Sequence, residues 1–373
     1  MNIIYCLVGL LVFQFPFACN EALEYQASSQ IMPSPQDQKG DKTAAANIVF
    51  KSVDGGQTWL DISEGLPKPV QDEYGDGRNV FFADDHGAWV TAGNGIYHSK
   101  PSSTAPFWTK EIVPDEQSSI AAGKAGIFAY NYSGGGFFQK TYGTDVWSPV
   151  FTNFQEKRVH SIFETAGGTI FIRSDNGLFK SADRGKSWKQ LHAGDLGKMV
   201  ESNGVLLATS QAGILRSTDD GENWAVVISE GGVGIDVERI KGGFAAITYS
   251  TVAKTRRIRT SYDGGKTWQA IDAGFPGQPI IDSPFQPFSA GNPVQNSTDS
   301  AWHPKEAVPE VLEYKTSIIQ VGENFFCGHT DGIYKTSDKG KTWKLVLPAG
   351  KGKMFRLSVS GNVIYGIQIE NHC

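Results

Sequence analysis

The sequence predicts an all-β fold, a β-propeller of seven blades. Three observations carry this: an eight-residue turn signature that recurs five times, tryptophans spaced at blade length, and a composition suited to short strands. Of the 373 residues 43 are Gly, 12% are aromatic and only 20% are charged. Abundant Gly and aromatics with modest charge fit many strands joined by tight turns, and they do not suit a helical bundle. The formal net charge of -5 leaves no broad basic face, which argues against a nucleic-acid partner.

The signature is Ser/Thr-x-Asp-x-Gly-x-x-Trp. It stands at Ser52 to Trp59, Ser181 to Trp188, Ser217 to Trp224, Ser261 to Trp268 and Thr336 to Trp343, and the five copies align without gaps. Each element has a physical reason. The carboxylates of Asp54, Asp183, Asp219, Asp263 and Asp338 are expected to accept turn amides, a structural role. The Gly supplies a left-handed backbone position. Trp59, Trp188, Trp224, Trp268 and Trp343 open the next strand and are expected to bury a large ring against the neighbouring sheet. Short apolar runs flank the turn, as with Ile214-Leu215-Arg216 before one copy and Trp224-Ala-Val-Val227 after it.

Two degenerate copies complete the series. Gly95-Ile-Tyr97-His-Ser99 leads to Trp108 across a Pro-containing turn, and Phe137 to Thr141 leads to Trp147; both lose the Asp at its usual place. The first five intervals between these seven tryptophans run from 36 to 49 residues, the length of a four-stranded blade. The turn joins strands three and four. Ser52 is preceded only by Ile48-Val-Phe50 and a polar tether, so the first copy supplies strands three and four alone. After Trp343, Met354–Ser358 and Asn362–Ile367 supply strands one and two with no turn following. The two ends make one blade, which gives seven and closes the ring without an open sheet edge. A six-bladed ring is the alternative, with one degenerate copy as an inserted hairpin.

Residues 1–18 carry no charged side chain and are almost wholly apolar from Ile3 to Phe17, a stretch suited to a signal peptide, although without Lys or Arg at its start. Pro16-Phe17-Ala18-Cys19 is similar to a loose bacterial lipobox, so lipidation of Cys19 and a membrane anchor are expected; full secretion is the alternative. Residues 19–46 are polar and rich in Gln, Ser, Ala and Pro, as in a flexible tether. The propeller takes residues 47–373. The chain is thus expected to cross the cytoplasmic membrane and stay at the cell envelope. Cys327 sits in an apolar run and suits a buried thiol, with pairing to Cys373 left open.

From Trp268 to Trp343 the interval is 75 residues, about a blade more than the repeat needs. The excess, residues 272–314, is Pro-rich and is expected to be a loop insertion between the fourth strand of one blade and the first of the next. Such links lie on the face opposite the signature turns, and a ligand is expected there. Asp282, Asp299 and Glu306 are the catalytic candidates, since two facing carboxylates suffice for a glycosidase. Phe285, Trp302, His303 and Arg173 are the binding candidates. Phe288 belongs with the insertion's aromatics, which suit carbohydrate or peptide binding or fasten the loop to the propeller body, and Asp72, Glu73, Tyr74, Arg78, Asp175, His329 and Asp331 fall on the same face as ordinary solvated loop residues. The seven His are scattered, with Asp84-Asp85-His86 a lone loop-like cluster, so no metal and no cofactor is expected.

The five turns resemble the Asp-box, or bacterial neuraminidase repeat, of sialidases, sortilin-type receptors, xyloglucan-cleaving hydrolases and photosystem assembly factors. The resemblance covers Ile48 to the C-terminus and implies the fold, not the chemistry. A sialidase would bring three arginines, a Tyr–Glu pair, an acid Asp and a Phe-Arg-Ile-Pro-like segment. No such segment occurs, and Arg78, Arg173 and Arg256 lack the family's context. The assembly-factor propellers imply the other class, a non-catalytic module that presents a face to a protein or glycan ligand. That class is the expectation; a sialidase-like or related glycoside hydrolase is the alternative.

Overall fold

The computed structural model describes residues 47–67, 81–93, 95–115, 118–132, 136–156, 158–191, 196–229, 232–276 and 315–370. All belong to the compact unit Ala45–Cys373. It consists of seven four-stranded antiparallel sheets. Blade 1 takes β1 (Val49–Ser52) and β2 (Leu60–Asp61) from the start of the chain. Blade 2 is β3 (Phe81–Asp84), β4 (Gly87–Thr91), β5 (Ile96–Ser99) and β6 (Thr109–Lys110). Blade 3 is β7 (Ser118–Ala122), β8 (Gly126–Asn131), β9 (Phe137–Thr141) and β10 (Trp147–Val150). Blade 4 is β11 (Val159–Glu164), β12 (Ile170–Ser174), β13 (Gly177–Ser181) and β14 (Lys189–Leu191). Blade 5 is β15 (Leu196–Ser202), β16 (Val205–Ser210), β17 (Gly213–Ser217) and β18 (Ala225–Ile228). Blade 6 is β19 (Gly232–Ile240), β20 (Gly243–Ser250), β21 (Thr255–Ser261) and β22 (Gln269–Ala270). Blade 7 is β23 (Lys315–Val321), β24 (Asn324–His329), β25 (Gly332–Thr336) and β26 (Lys344–Pro348). Last come β27 (Lys353–Ser360) and β28 (Val363–Glu370), which return to blade 1.

Ring closure follows from that return. β1 lies between β2 and β28, with Val49 opposite Ile367 and Ser52 opposite Ile364, so blade 1 is built from both ends of the chain. The first strands touch their neighbours all the way round, from β27 to β3, β7, β11, β15, β19, β23 and back to β27. They enclose a central axis.

Among the described residues the core is divided. Seven apolar clusters fill the seven joints between consecutive blades. One joins Val49, Tyr365 and Ile367 of blade 1 to Ala88, Val90 and Trp108 of blade 2. Another joins Leu207 and Ile214 of blade 5 to Phe244 and Trp268 of blade 6. Strand alternation sends successive side chains to opposite faces of a sheet, and here each face meets a neighbouring blade. The second strands are accordingly buried on both faces, as in Leu206 to Ser210 and Gly243 to Thr248.

The signature turn proves to be a joint between blades. Within each copy the Ser or Thr hydroxyl donates to the Asp carboxylate, at 2.7 to 2.9 Å, and accepts the amide of the Gly four residues on. The carboxylate also accepts the amide and side chain of the residue before the Trp, which is Thr58, Ser187, Asn223, Thr267 or Thr342. Burial alone would raise Asp54, Asp219 and Asp263, but these hydrogen bonds outweigh it. For Asp183 and Asp338 the hydroxyls of Ser187 and Thr342 lead. All five are held at about 2.

Two expectations are refined. The left-handed position is a pair of residues: Gly221 at φ 82° is preceded by Asp220 at 58°, and Gly340 at 86° by Lys339 at 58°. The Gly of each pair faces the preceding blade, where a Cβ would overlap Phe326, Phe151, Phe171, Leu207 or the Ile271 carbonyl. The five Trp also divide. Trp268 and Trp343 are buried, whereas Trp59, Trp188 and Trp224 are only half-buried at the rim.

Candidate functional site

Strand direction places the links of the ring. Strands two to three and four to one are connected on one face, here called the link face, and the signature turns lie on the other. Because β1 starts and β28 ends at the link face, both ends of the described chain lie there.

Four consecutive first strands carry a register shift toward their link-face end. It lies between Val159 and Ser161, Leu196 and Met199, Gly234 and Asp236, and Lys315 and Ser317. Bulges re-aim side chains at the rims of closed sheets. Side chains of these strands, together with Ser358 of the regularly paired β27, stitch one first strand to the next. Lys198 Nζ meets Asp236 Oδ1 at 2.9 Å and also binds Glu238. Asp236 Oδ2 accepts the Ile318 amide at 3.0 Å, Ser317 Oγ accepts the Leu357 amide at 2.9 Å, and Ser358 Oγ accepts the Ala83 amide at 2.7 Å. These amides belong to the inner strand edges, which pair with no further strand. Lys198 would be lowered by burial, but Asp236 and Glu238 hold it above its ordinary value; burial pushes Glu238 up.

A second group stands where blades 3 and 4 meet at the link face. His160 Nε2 lies 2.7 Å from Asp175 Oδ1, Arg158 donates to Asp175 Oδ2 at 2.9 Å, and the Tyr132 ring is edge-on to His160 at 5.3 Å. Arg158 has φ 55°, left-handed for a non-Gly residue, and is 66% exposed. The His160 hydrogen bond, then that of Arg158, holds Asp175 below the usual carboxylate range, and Asp175 in turn raises Arg158.

Arg173 lies on β12, opposite Ser161 on β11 and Leu178 on β13, half-buried within the sheet. Arg173 in blade 4 and Arg256 in blade 6 are separated by the whole of blade 5. Asp282, Phe285, Phe288, Asp299, Trp302, His303 and Glu306 lie outside the described residues. So do Asp72, Glu73, Tyr74, Arg78, Cys19 and Cys373.

Three expectations change. Asp272, taken as the start of the insertion, is buried in the blade body. Its oxygens take Arg257 Nε at 3.0 and 3.1 Å and the Ile258 amide at 2.9 Å. Phe275 packs on His329, Tyr334 and Trp343, so the packed body runs to at least Phe275. His329 is no solvated loop residue: it is 2% exposed, and its Nδ1 accepts the Asp331 amide at 3.1 Å. Asp84-Asp85-His86 is no plain loop either, because Asp84 ends β3 and accepts the Tyr142 hydroxyl of blade 3 at 2.7 Å. Cys327 is fully buried, its Sγ 3.3 Å from the Gly328 carbonyl. Among the described residues no group of three His, Cys, Asp or Glu is placed to hold a metal ion, and no helix is long and apolar enough to cross a membrane.

Sequence reasoning missed Lys198, Asp236, Glu238, Arg158 and His160. They lie on or beside first strands, where the signature is silent. Only Lys198 and Asp236, each standing five residues before the tight turn that joins strands one and two, at Asn203 and Lys241, carry a signal.

No family model matches the sequence, and no curated protein matches it. Solved structures do. An ancestral GH74 enzyme is similar over 76% of this chain and 40% of its own length, at 14% identity and a TM-score of 0.45. The chain therefore spans about two fifths of that enzyme. The Nidogen/Laminin complex matches over 69% of this chain and 88% of that chain, at 10% identity and a TM-score of 0.41. The extracellular domain of a B. thetaiotaomicron protein described as a one component system matches over 74% of this chain and 36% of that chain, at 10% identity and a TM-score of 0.41.

Proposed function

We propose that this chain is an extracytoplasmic binding propeller that presents its link face to a protein or glycan ligand. The observation that carries the reading is how four described carboxylates of the ring wall and link face are used. Asp175 is shared between His160 and Arg158, and Asp236 and Glu238 flank Lys198. Asp272, at the foot of the 277–314 segment, is shared between Arg257 and the Ile258 amide. Glycoside cleavage needs two carboxyls about 5 to 10 Å apart across a cleft, one to give a proton and one to attack or to activate water. These four are committed to holding strands and blades together. A rigid wall of paired charge supports recognition more than bond cleavage.

The proposal includes export through residues 1–18, lipidation of Cys19, and a tether that holds the ring at the envelope. Cys19→Ser is expected to move the protein from the membrane to the soluble fraction; unchanged fractionation would remove the anchor. Residues of the 277–314 segment, with Phe285, Trp302 and His303 first, are proposed as ligand contacts alongside Arg173.

The test is a glycan-array and fluorogenic-glycoside screen, with sialosides included, on the full chain carrying Cys19→Ser. Binding without turnover is the expected result. Turnover that disappears on replacement of Asp282, Asp299 or Glu306 would overturn the reading in favour of a hydrolase.

A further inference from the structure

We propose that the joint between blades 2 and 3 is a pH-sensitive seam, closed when His98 is neutral and loosened when His98 takes up a proton. A column of mostly cationic residues runs round the ring. The residue just before the Ser or Thr that opens the three-to-four turn is Lys51, His98, Lys140, Lys180, Arg216, Thr260 or Lys335 in blades 1 to 7. Where it is Lys or Arg, it usually reaches forward to the next blade's turn. Lys335 donates to the Gly55 carbonyl at 2.8 Å, Arg216 to the Gly264 carbonyl at 2.7 Å, and Lys51 to the Pro101 carbonyl at 2.6 Å. Lys180 reaches Asp220 at 3.0 Å and Glu222 at 2.9 Å. Blade 2 alone places an imidazole in this column.

At that joint the direction reverses. Lys140 of blade 3 reaches back to Glu111 of blade 2 at 2.5 Å and lies 5.9 Å from the centre of the Trp89 ring. His98 lies flat on the same Trp89, with ring centres 3.9 Å apart and planes within 7°. Its Nε2 is 3.2 Å from the His86 carbonyl, and its Nδ1 is 3.9 Å from Glu111, too far for a hydrogen bond. His86 in turn stacks on Tyr142 of blade 3 at 3.5 Å, and the Tyr142 hydroxyl closes the seam on Asp84. The charged groups about His98 are Glu111, Lys140 and Asp84, with Asp145 on the far side of Lys140 and Asp85 beside His86. Glu111 already serves Lys140. A proton on His98 therefore adds a second cation beside Lys140, in a pocket where His98, Glu111 and Lys140 are each only 11 to 12% exposed.

The chemistry has a definite sign. Burial, the larger influence, and Lys140 lower His98, against the His86 carbonyl, Glu111 and Asp84, which raise it; the net direction is down from 6.5. A histidine lowered on folding leaves the folded state proton-poor, so its contribution is present above about pH 6.5 and is lost as pH falls from there. Glu238 acts oppositely: a raised carboxyl favours the folded state on acidification. The seam is therefore read by difference, at the joint itself.

The experiment is hydrogen exchange by mass spectrometry on the full chain with Cys19→Ser, at pH 7.5 and 5.5, corrected for intrinsic rates. Wild-type amides of β4, β5 and β9 are expected to lose several-fold protection at pH 5.5 while those of β16 and β20 do not. His98→Phe, which keeps a flat ring on Trp89, is expected to abolish the pH-dependent difference. His98→Gln is expected to do the same and serves if the ring substitution does not fold. Equal protection of the wild-type seam at both pH values, or a loss that persists in the folded variant, overturns the proposal.

Discussion

Blades 4 to 7 and blade 1 carry the signature turn; blades 2 and 3 do not. In the first group the Asp carboxylate ties the turn to itself, and the left-handed Gly lets it lie against the preceding blade. In blade 2 the strands are joined by the longer path from Lys100 to Trp108, and in blade 3 Gly143 stands where the Asp would be. The ring still closes at that seam, through an apolar cluster of Trp89, Ile96, Ile120, Ile127 and Trp147 and through stacked His and Tyr rings. The comparison teaches that apolar packing makes the blade, while the turn chemistry sets how one blade grips the next.

The largest expected effect breaks the packing. Trp343→Ala removes a buried ring that also donates to the Ile271 carbonyl at 3.0 Å, and is expected to destabilise by about 3–5 kcal/mol. Trp224, half-buried at the rim, is expected to lose about half as much in the same denaturant titration. Asp272→Ala leaves Arg257 without its carboxylate and a buried amide without its acceptor, and is expected to remove about 3 kcal/mol. Gly221→Ala combines left-handed strain with an approach of 2.7 Å to the Phe171 ring, for about 2 kcal/mol. Lys180→Met releases Asp220 and Glu222, both exposed, and is expected to lose about 1 kcal/mol in thermal melts.

The smallest expected effect is the acid response of the turns. Their carboxylates are held at about 2, below the ordinary 3.8, so their contribution is present above pH 4 and is lost as pH falls from 4 toward 2. Replacing Asp183 and Asp338 by Asn should flatten the acid limb of the stability profile. An unchanged limb would mean that the turns do not titrate with unfolding.

The architecture was legible because it repeats. Five Trp intervals of blade length, and a first turn preceded only by one short strand and the polar stretch 19–46, were enough to count the blades and to assign their closure to both chain ends. What stayed hidden was anything that crosses a joint. The Gly of each turn looks like a local backbone need, yet its Cβ would meet Phe171 or Leu207 a blade earlier in the chain. The cation column of Lys51, Lys180, Arg216 and Lys335 was visible beside the signature, but its partner lies one blade ahead. Asp272 was assigned to the insertion because Pro276 and Pro279 follow it closely; its burial depends on Arg257, a strand away. The candidate ligand contacts were read from loop composition alone, which carries no geometry, and those in the 277–314 segment lie outside the described residues.

The central claim is that each signature turn presses on the preceding blade. A double-mutant cycle between Gly221→Ala and Phe171→Leu, read by chemical denaturation, tests it directly. The account predicts that the added methyl costs less when the Phe171 ring is trimmed, with a coupling of about 1 kcal/mol. Strict additivity would contradict it, and would reduce the turn to a local device with no hold on its neighbour.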